Sequence, residues 1–324
     1  MTVKGRDYLR STQFAAIIEE EASEYEFVFA GADTAPGRML EIRKKAAQTD
    51  FSAYDVVILG FLPQVIIKRV MKSIKNSPEG KIPLIISDFF LSMWDTVTLD
   101  RRYVSPYGII GRFLKKLDTL ACMNSDIIVT DTKAGCDFIC NTFGADRSKT
   151  FAMYLRAGDV FKSSDIPGVT NYSHGSNEAF NVLYFGTGLP LQGIDVILEA
   201  ADMLSDTGNI RFTFIGNMGK KAQSSLNSNI TFIDWLSQKE LAEKISEADL
   251  CLAGHFNKDI DKADRTIPGK AYIYEQMGKP MILGDTRANR ELFEEDGRHF
   301  FVPRGDSKAL ADLIKKICDR YNHN

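Results

Sequence analysis

The densest chemical signal in the sequence is Asp264-Arg265-Thr266-Ile267-Pro268-Gly269-Lys270, which runs into an apolar helical pattern ending at Met277-Gly278-Lys279-Pro280. Pro268 and Gly269 fall where a helix should begin, because the first turn leaves its N–H groups unpaired and tolerates proline. Arg265 and Lys270 flank that start, placing two cations and free backbone amides where a diphosphate fits. A surface helix with two solvated cations satisfies the same pattern. Upstream, glycines follow two apolar runs, in Phe185-Gly186-Thr187-Gly188 and Ile215-Gly216. Lacking Cβ atoms, they let backbone approach a phosphate closely or close a tight strand-to-helix turn with no ligand. Trp235, with Leu236 beside it, is placed either next to a nucleotide base or half-buried at a domain edge.

Three carboxylates follow one predicted strand. Asp88 comes directly after Leu84-Ile85-Ile86-Ser87, while Asp95 and Asp100 lie in the loop beyond. Each is a candidate for positioning a hydroxyl or moving a proton, and each has a plainer reading as a loop cap. Asp131-Thr132 reads as the cap of the next helix. Glu19-Glu20-Glu21 and Asp259-Ile260-Asp261 look like metal ligands only in isolation, and in context they read as a solvated helix end and an exposed loop. No metal is expected.

The elements that must position these groups are short Val-, Ile- and Phe-rich runs alternating with longer segments of helical period. Such alternation implies parallel sheets covered by helices. It occurs twice. The first half offers 26–29, 55–59, 84–87, 126–130 and 150–154, and the second offers 180–185, 211–215, 230–232, 250–252, 280–283 and 299–302. Helices are expected near 8–21, 195–204 and 307–321. Ligands of open parallel sheets bind beyond the carboxyl ends of strands, which is where the glycine loops and Asp88 stand.

A polar Ser- and Gly-rich stretch separates the halves. The expected domains are 1–162 and 179–324, with 163–178 as linker. The 324 residues, 44% hydrophobic and 26% charged, suffice for two cores. A net charge of -3 gives no electrostatic reason to expect nucleic acid. The five cysteines form no CxxC pair and read as reduced and structural. No apolar run reaches the ~20 residues that span a bilayer, and the first residues show no signal core, so a cytoplasmic protein is expected, with contact at a membrane surface left open. Residues 61–72 have some basic, aromatic surface character, although a buried helix fits them better.

An ordered series of motifs resembles bacterial retaining glycosyltransferases of the GT-B fold, the large family-four group that includes sucrose synthase and mannosyltransferases of cell-envelope synthesis. It comprises Tyr184-Phe185-Gly186-Thr187, Pro190-Leu191-Gln192-Gly193-Ile194, Asp249-Leu250-Cys251-Leu252, Arg265-Thr266-Ile267-Pro268-Gly269-Lys270, Met277-Gly278-Lys279-Pro280 and Asn289-Arg290-Glu291-Leu292. In the first half, 83–96, Asp100-Arg101, 126–132 and Ala157-Gly158-Asp159-Val160-Phe161 look like a subgroup of the same enzymes. The resemblance covers about 52–317. It implies an α/β fold of two Rossmann-like domains across a cleft, with acceptor on the first and nucleotide-sugar donor on the second. It further implies retention at the anomeric carbon and chemistry without metal or other cofactor. Arg265 and Lys270 would hold the leaving diphosphate, helped by amides near Gly186, Thr187 and Gly269. Trp235 and Leu236 would line the base pocket, with Gly216, Ile267, Pro268 and Ile273 completing the donor site. The acceptor implied is a glycan or lipid-linked saccharide of the bacterial envelope.

The chain departs from that pattern in three places. Two glutamates that many members carry on the donor sugar and ribose are Arg265 and Ile273 here. The Arg and Lys common in the first glycine loop are Thr187 and Gln192. At the amino terminus a helix begins almost at once, so the first strand is expected to be missing, through a shortened chain or a rearranged edge, with Arg10 as a remnant of the loop after it. These departures keep a second reading open, a catalytically inactive protein of this fold that binds a partner or glycan. An epimerase or phosphorylase on the same fold is a third.

Overall fold

The computed structural model describes residues 1–77, 81–162, 179–207, 209–218 and 227–321. The chain divides into two compact units, Met1–Leu155 and Arg156–Asn324. The expected linker 163–178 lies outside the described residues.

In the first unit, helices α1 (Leu9–Glu21) and α2 (Ala35–Gln48) precede strand β1 (Val56–Leu59). There follow α3 (Ile67–Lys75), β2 (Leu84–Asp88), α4 (Ile109–Met123), β3 (Ile127–Thr130), α5 (Lys133–Phe143) and β4 (Thr150–Ala152). The strands form one parallel sheet in the order β1-β2-β3-β4, with Val56 opposite Leu84, Ile86 opposite Ile127 and Ile128 opposite Thr150. Strands β1 and β3 lead into helices whose apolar stripes return to the sheet: Ile67 and Val70 of α3 and Ile139 and Phe143 of α5 are buried with Val57, Leu59, Ile85 and Ile128 in one core. Fully burying one such side chain contributes about 1.5–3 kcal/mol. The 61–72 segment is therefore a short turn leading into α3, with Leu62, Ile66, Ile67 and Val70 buried as the plainer reading expected and Met71 exposed.

The amino terminus is more ordered than its sequence suggests. Thr2 makes parallel bridges to Phe29 on one side and Gly60 on the other. The Met1 ammonium donates to the Ile58 carbonyl at 2.8 Å, and the Gly60 N–H donates to the Met1 carbonyl at 2.9 Å. A stub of one strand thus stands beside β1, whereas the expected strand at 26–29 is paired only at Phe29. Where pairing stops, Val56 is exposed and a cavity of about 770 Å³ opens among α1, residues 22–29 and β1, walled by Phe14, Ile17, Tyr25, Phe27 and Tyr54.

The second unit carries β5 (Phe180–Phe185), α6 (Ile194–Met203), β6 (Ile210–Ile215), β7 (Ile230–Ile233), α7 (Gln238–Ser246) and β8 (Leu250–Gly254). Then come α8 (Lys262–Arg265), α9 (Gly269–Gln276), β9 (Met281–Gly284), β10 (His299–Val302) and α10 (Ser307–Tyr321). Its parallel sheet runs β10-β9-β8-β5-β6-β7. The order reverses between β5 and β8, which puts their carboxyl ends side by side at a switch point. Every residue of β8 and β9 is buried, as continuous apolar runs in a doubly covered sheet should be. Helices α6 and α10 pack together over β5 and β6 through Ile197, Ala200, Leu310 and Ile314. Residues 156–162 belong to this unit, where the Gln276 side chain donates to the Gly158 carbonyl at 2.9 Å.

Candidate functional site

At the carboxyl ends of β5, β6 and β8 stand Gly186, Gly216 and Gly254, all with positive φ (140°, 111° and 92°). At Gly216 and Gly254 the surroundings also leave no room for a side chain. A Cβ on Gly216 would lie 2.2 Å from the Gly186 carbonyl oxygen, and one on Gly254 would lie 2.2 Å from Gln192 Oε1 and 3.2 Å from Lys270 Nζ. These three turns form the floor of the candidate site.

Lys270 rises through that floor from the first turn of α9, whose N-cap is Pro268 as the sequence indicated. Its ammonium donates to Gln192 Oε1 at 2.6 Å and to the Tyr184 hydroxyl at 3.4 Å, and lies 4.5 Å above the Tyr184 ring. No carboxylate is among those contacts. Burial lowers the Lys270 pKa to about 7, so its charge is held poised and an incoming anion would restore it fully. Gln192, at the place where relatives of the resembling family carry a lysine, thus serves as the acceptor that orients Lys270.

His255 was not singled out by sequence reasoning. It follows Gly254 directly, has φ of 61° and is buried, with Nδ1 2.7 Å from the Thr266 carbonyl oxygen. Burial, then the neighbouring Lys270, lower its pKa to about 3, so the ring is neutral. A carbonyl only accepts, so Nδ1 carries the proton and Nε2 is left as an acceptor. That hydrogen bond ties β8 to the 266–268 loop leading into α9. A left-handed non-glycine residue so constrained stores strain of about 1–3 kcal/mol, usually where backbone must be held for a purpose. The only sequence signal was a histidine after a glycine at a strand end.

The remaining predicted donor residues fall around the same strand ends. Arg265 ends α8 and is buried, Ile267 and Pro268 are buried in the loop after it, and Gly269 is exposed at the start of α9. Thr187 is exposed beyond Gly186, and Ile273 is half-buried on α9. Trp235 and half-buried Leu236 follow edge strand β7, and Trp235 is 76% exposed, which excludes the half-buried alternative. Gly219 and Lys220, further along the second glycine loop, lie outside the described residues.

In the first unit, Asp88 ends β2 with no exposed surface. Its Oδ1 receives Arg10 Nη2 at 3.0 Å and Nε at 3.2 Å, and its Oδ2 receives the Phe61 N–H at 3.3 Å. Arg10 also donates to the Thr130 carbonyl at 3.0 Å and to the Met153 carbonyl. One guanidinium therefore closes the carboxyl ends of β2, β3 and β4. Burial pushes the Asp88 carboxyl up while Arg10 pulls it down. Rather than projecting freely from the strand end, Asp88 is a partner in a buried ion pair. Arg10 lies on α1, not in a loop.

Asp95 and Asp100 bound a single wide helical turn and are both buried. Their loop is organised by Asp118 of α4, which sequence reasoning passed over. That carboxylate accepts from Gln64 Nε2 at 2.6 Å, Ser92 Oγ at 2.8 Å and the Trp94 and Met93 N–H groups at 2.8 and 3.2 Å. Thr132 caps α5 as expected, its hydroxyl accepting from the Gly135 N–H at 2.8 Å. Among the described residues no group of three or more His, Cys, Asp or Glu is arranged to hold a metal ion.

Comparison with known proteins supports the reading of the second unit. Residues 179–320 match the family model described as glycosyl transferases group 1. A comparison with curated proteins finds no match. Among solved structures, Anabaena HepE in complex with UDP superposes with a TM-score of 0.62 at 13% identity over 95% of this chain and 80% of that one. The same protein has been solved with UDP-glucose. Sucrose-phosphate synthase from Thermosynechococcus elongatus gives 0.63 at 12% identity, covering 88% and 69%. A trehalose-phosphate synthase from Burkholderia xenovorans gives 0.57 at 11%, covering 89% and 72%. At these identities the likeness is one of fold. The chain has the GT-B fold, two Rossmann-like units each built on a parallel sheet, and the match to the group 1 glycosyltransferase model falls within its second unit.

Proposed function

We propose that the protein is a retaining, metal-independent glycosyltransferase that takes a sugar from a nucleotide-sugar donor bound by its second unit. The observation that carries this reading is Lys270, buried with no carboxylate partner among the described residues over the Gly186, Gly216 and Gly254 turns. An anion seated there would meet a pre-positioned cation and the amides at the start of α9, the electrostatic arrangement that stabilises a leaving diphosphate. Arg265 supplies the second cation. Trp235 and Leu236 face the base, and Ile273 stands by the ribose in place of a glutamate, so the ribose is read weakly. That HepE binds UDP and UDP-glucose supports a donor of this class. The first unit holds the acceptor, a glycan or lipid-linked saccharide of bacterial envelope polysaccharide synthesis at the cytoplasmic face. Asp88 acts there as a positioning residue, holding the Phe61 backbone and Arg10.

The burial of Asp88 in an ion pair and the isoleucine at position 273 favour a second reading, a non-catalytic partner subunit that binds a nucleotide sugar without transferring it. Incubation with a panel of nucleotide sugars and saccharide acceptors, followed by mass spectrometry, separates the two. Transferred sugar supports the enzyme, and donor binding with no product under any pairing supports the partner subunit. Transfer that persists unchanged in Lys270→Ala would contradict the site.

A further inference from the structure

Between β2 and β3 the sequence reads Arg101-Arg102-Tyr103-Val104-Ser105-Pro106-Tyr107-Gly108-Ile109-Ile110-Gly111-Arg112-Phe113-Leu114-Lys115-Lys116. Helix α4 buries Gly111, Leu114, Asp118, Ala121 and Cys122, which lie along one side at helical spacing. Five apolar or aromatic side chains of this stretch nonetheless face outward. Ile109 is 90% exposed, Tyr107 82%, Tyr103 76%, Ile110 57% and Phe113 56%. Soluble proteins commonly expose such side chains singly, and five of them between positions 103 and 113, interspersed with charge, mark an interaction site.

The surface is built rather than loose. A Cβ on Gly111 would lie 2.3 Å from the Ser105 carbonyl oxygen and 2.7 Å from that of Pro106, so the absence of a side chain lets the 105–106 loop lie directly on the helix. The Gly108 N–H closes that loop onto the Ser105 carbonyl at 3.2 Å, and the Tyr103 N–H donates to the Val97 carbonyl at 2.9 Å. Tyrosines and isoleucines are thereby presented together at the beginning of α4.

Charge decides what covers them. The exposed cations are Arg102, Arg112, Lys115 and Lys116, while Arg101 is mostly buried beside Asp100 at 3.8 Å, and no acidic residue lies between 101 and 117. The flanking acids, Asp100 and Asp118, are buried. An apolar centre with two tyrosines and a wholly cationic rim fits a bilayer surface carrying anionic headgroups: the rings and isoleucines enter the interface while arginine and lysine meet phosphate.

We infer that residues 101–116 form a membrane-docking surface specific for anionic lipid. The inference supplies a lipid-facing side to the acceptor-binding unit of the proposed function. Its test needs no donor, so its failure is distinguishable from failure of that function. The full chain is sedimented with vesicles of phosphatidylcholine alone and of phosphatidylcholine with phosphatidylglycerol, at low and high salt. Binding to the phosphatidylglycerol vesicles and several-fold loss at high salt are expected. Each exposed cation should contribute roughly fivefold to partition, so Arg112→Gln with Lys116→Gln should lower it by at least tenfold. Ile109→Ser with Phe113→Ser should lower it comparably. Both pairs replace exposed side chains, and their melting temperatures should match the parent. Partition that is equal for parent and variants, or absent with both vesicle types, overturns the inference. So does a dimer in solution that Ile109→Ser with Phe113→Ser abolishes, which would assign the face to a second copy of the chain.

Discussion

Arg10 and Asp88, 78 positions apart, form a buried ion pair in which one guanidinium also holds the carbonyl of Thr130 at the end of the next strand. The pair joins α1 to the carboxyl edge of the first sheet, the edge at which an acceptor would be held. Removing one member leaves the other charged, buried and without its counterion, a change that costs about 3–5 kcal/mol. Arg10→Met and Asp88→Asn are each expected to lower the unfolding free energy by that amount in urea titration. If both variants unfold like the parent, the pair has no structural role and Asp88 returns as a group free to do chemistry.

Lys270 makes the proposed donor site pH-dependent. Its folded-state pKa of about 7 lies below the ordinary 10.5, so an anion that binds the charged form draws in a proton once pH exceeds about 7. Affinity for a nucleoside diphosphate is therefore expected to be flat below pH 7 and to fall by up to roughly tenfold per unit above it. In the free protein the sign is opposite. The unfolded chain holds that proton between pH 7 and 10.5 while the folded chain does not, so the Lys270 contribution to stability rises across that window. Calorimetric titration from pH 6 to 9 checks the first effect, and Lys270→Met should flatten the profile.

Gly254 tests the glycine floor. Its φ of 92° disfavours any side chain, and a methyl group would press on Gln192 Oε1 and approach Lys270 Nζ. Gly254→Ala is expected to cost about 1–3 kcal/mol in denaturant unfolding and to weaken nucleotide binding by displacing Lys270. Binding that survives intact in a destabilised Gly254→Ala protein would separate the floor from the ligand.

Trp235 offers the cleanest separation of binding from stability because most of its surface is exposed. Trp235→Ala should leave the melting temperature nearly unchanged. Loss of stacking on a base is worth about 1–3 kcal/mol, so nucleotide affinity should fall by roughly five- to a hundredfold, read by calorimetry. Unchanged affinity would contradict the proposed contact of Trp235 with the base.

Local pattern carried the strands and helices. Runs such as Leu250-Cys251-Leu252 and Pro280-Met281-Ile282-Leu283 form central strands because both faces of a covered sheet are apolar. The position of Lys270 at a helix start was legible from Pro268-Gly269. What pattern could not carry was pairing at a distance. Glu26-Phe27-Val28-Phe29 has strand composition but is bridged only at Phe29, by a neighbour that lies at the start of the chain. Likewise the sequence leaves Asp88 as either a cleft group or a loop cap because its partner is on α1, and shows Gln192 only as a departure from the family pattern because its bond to Lys270 spans 78 positions. His255 and Asp118 belong to no motif in the sequence, and only tertiary contacts reveal what they hold.

Calorimetry on the full chain with a panel of nucleoside diphosphates and their sugars, repeated with Lys270→Ala, tests the central claim most directly. The site described at the ends of β5, β6 and β8 requires that at least one nucleotide sugar bind the parent. The loss of a charge-assisted contact worth about 1.5–3 kcal/mol should then weaken that binding at least tenfold in the variant. No binding by the parent across the panel, or equal binding by both proteins, would contradict it.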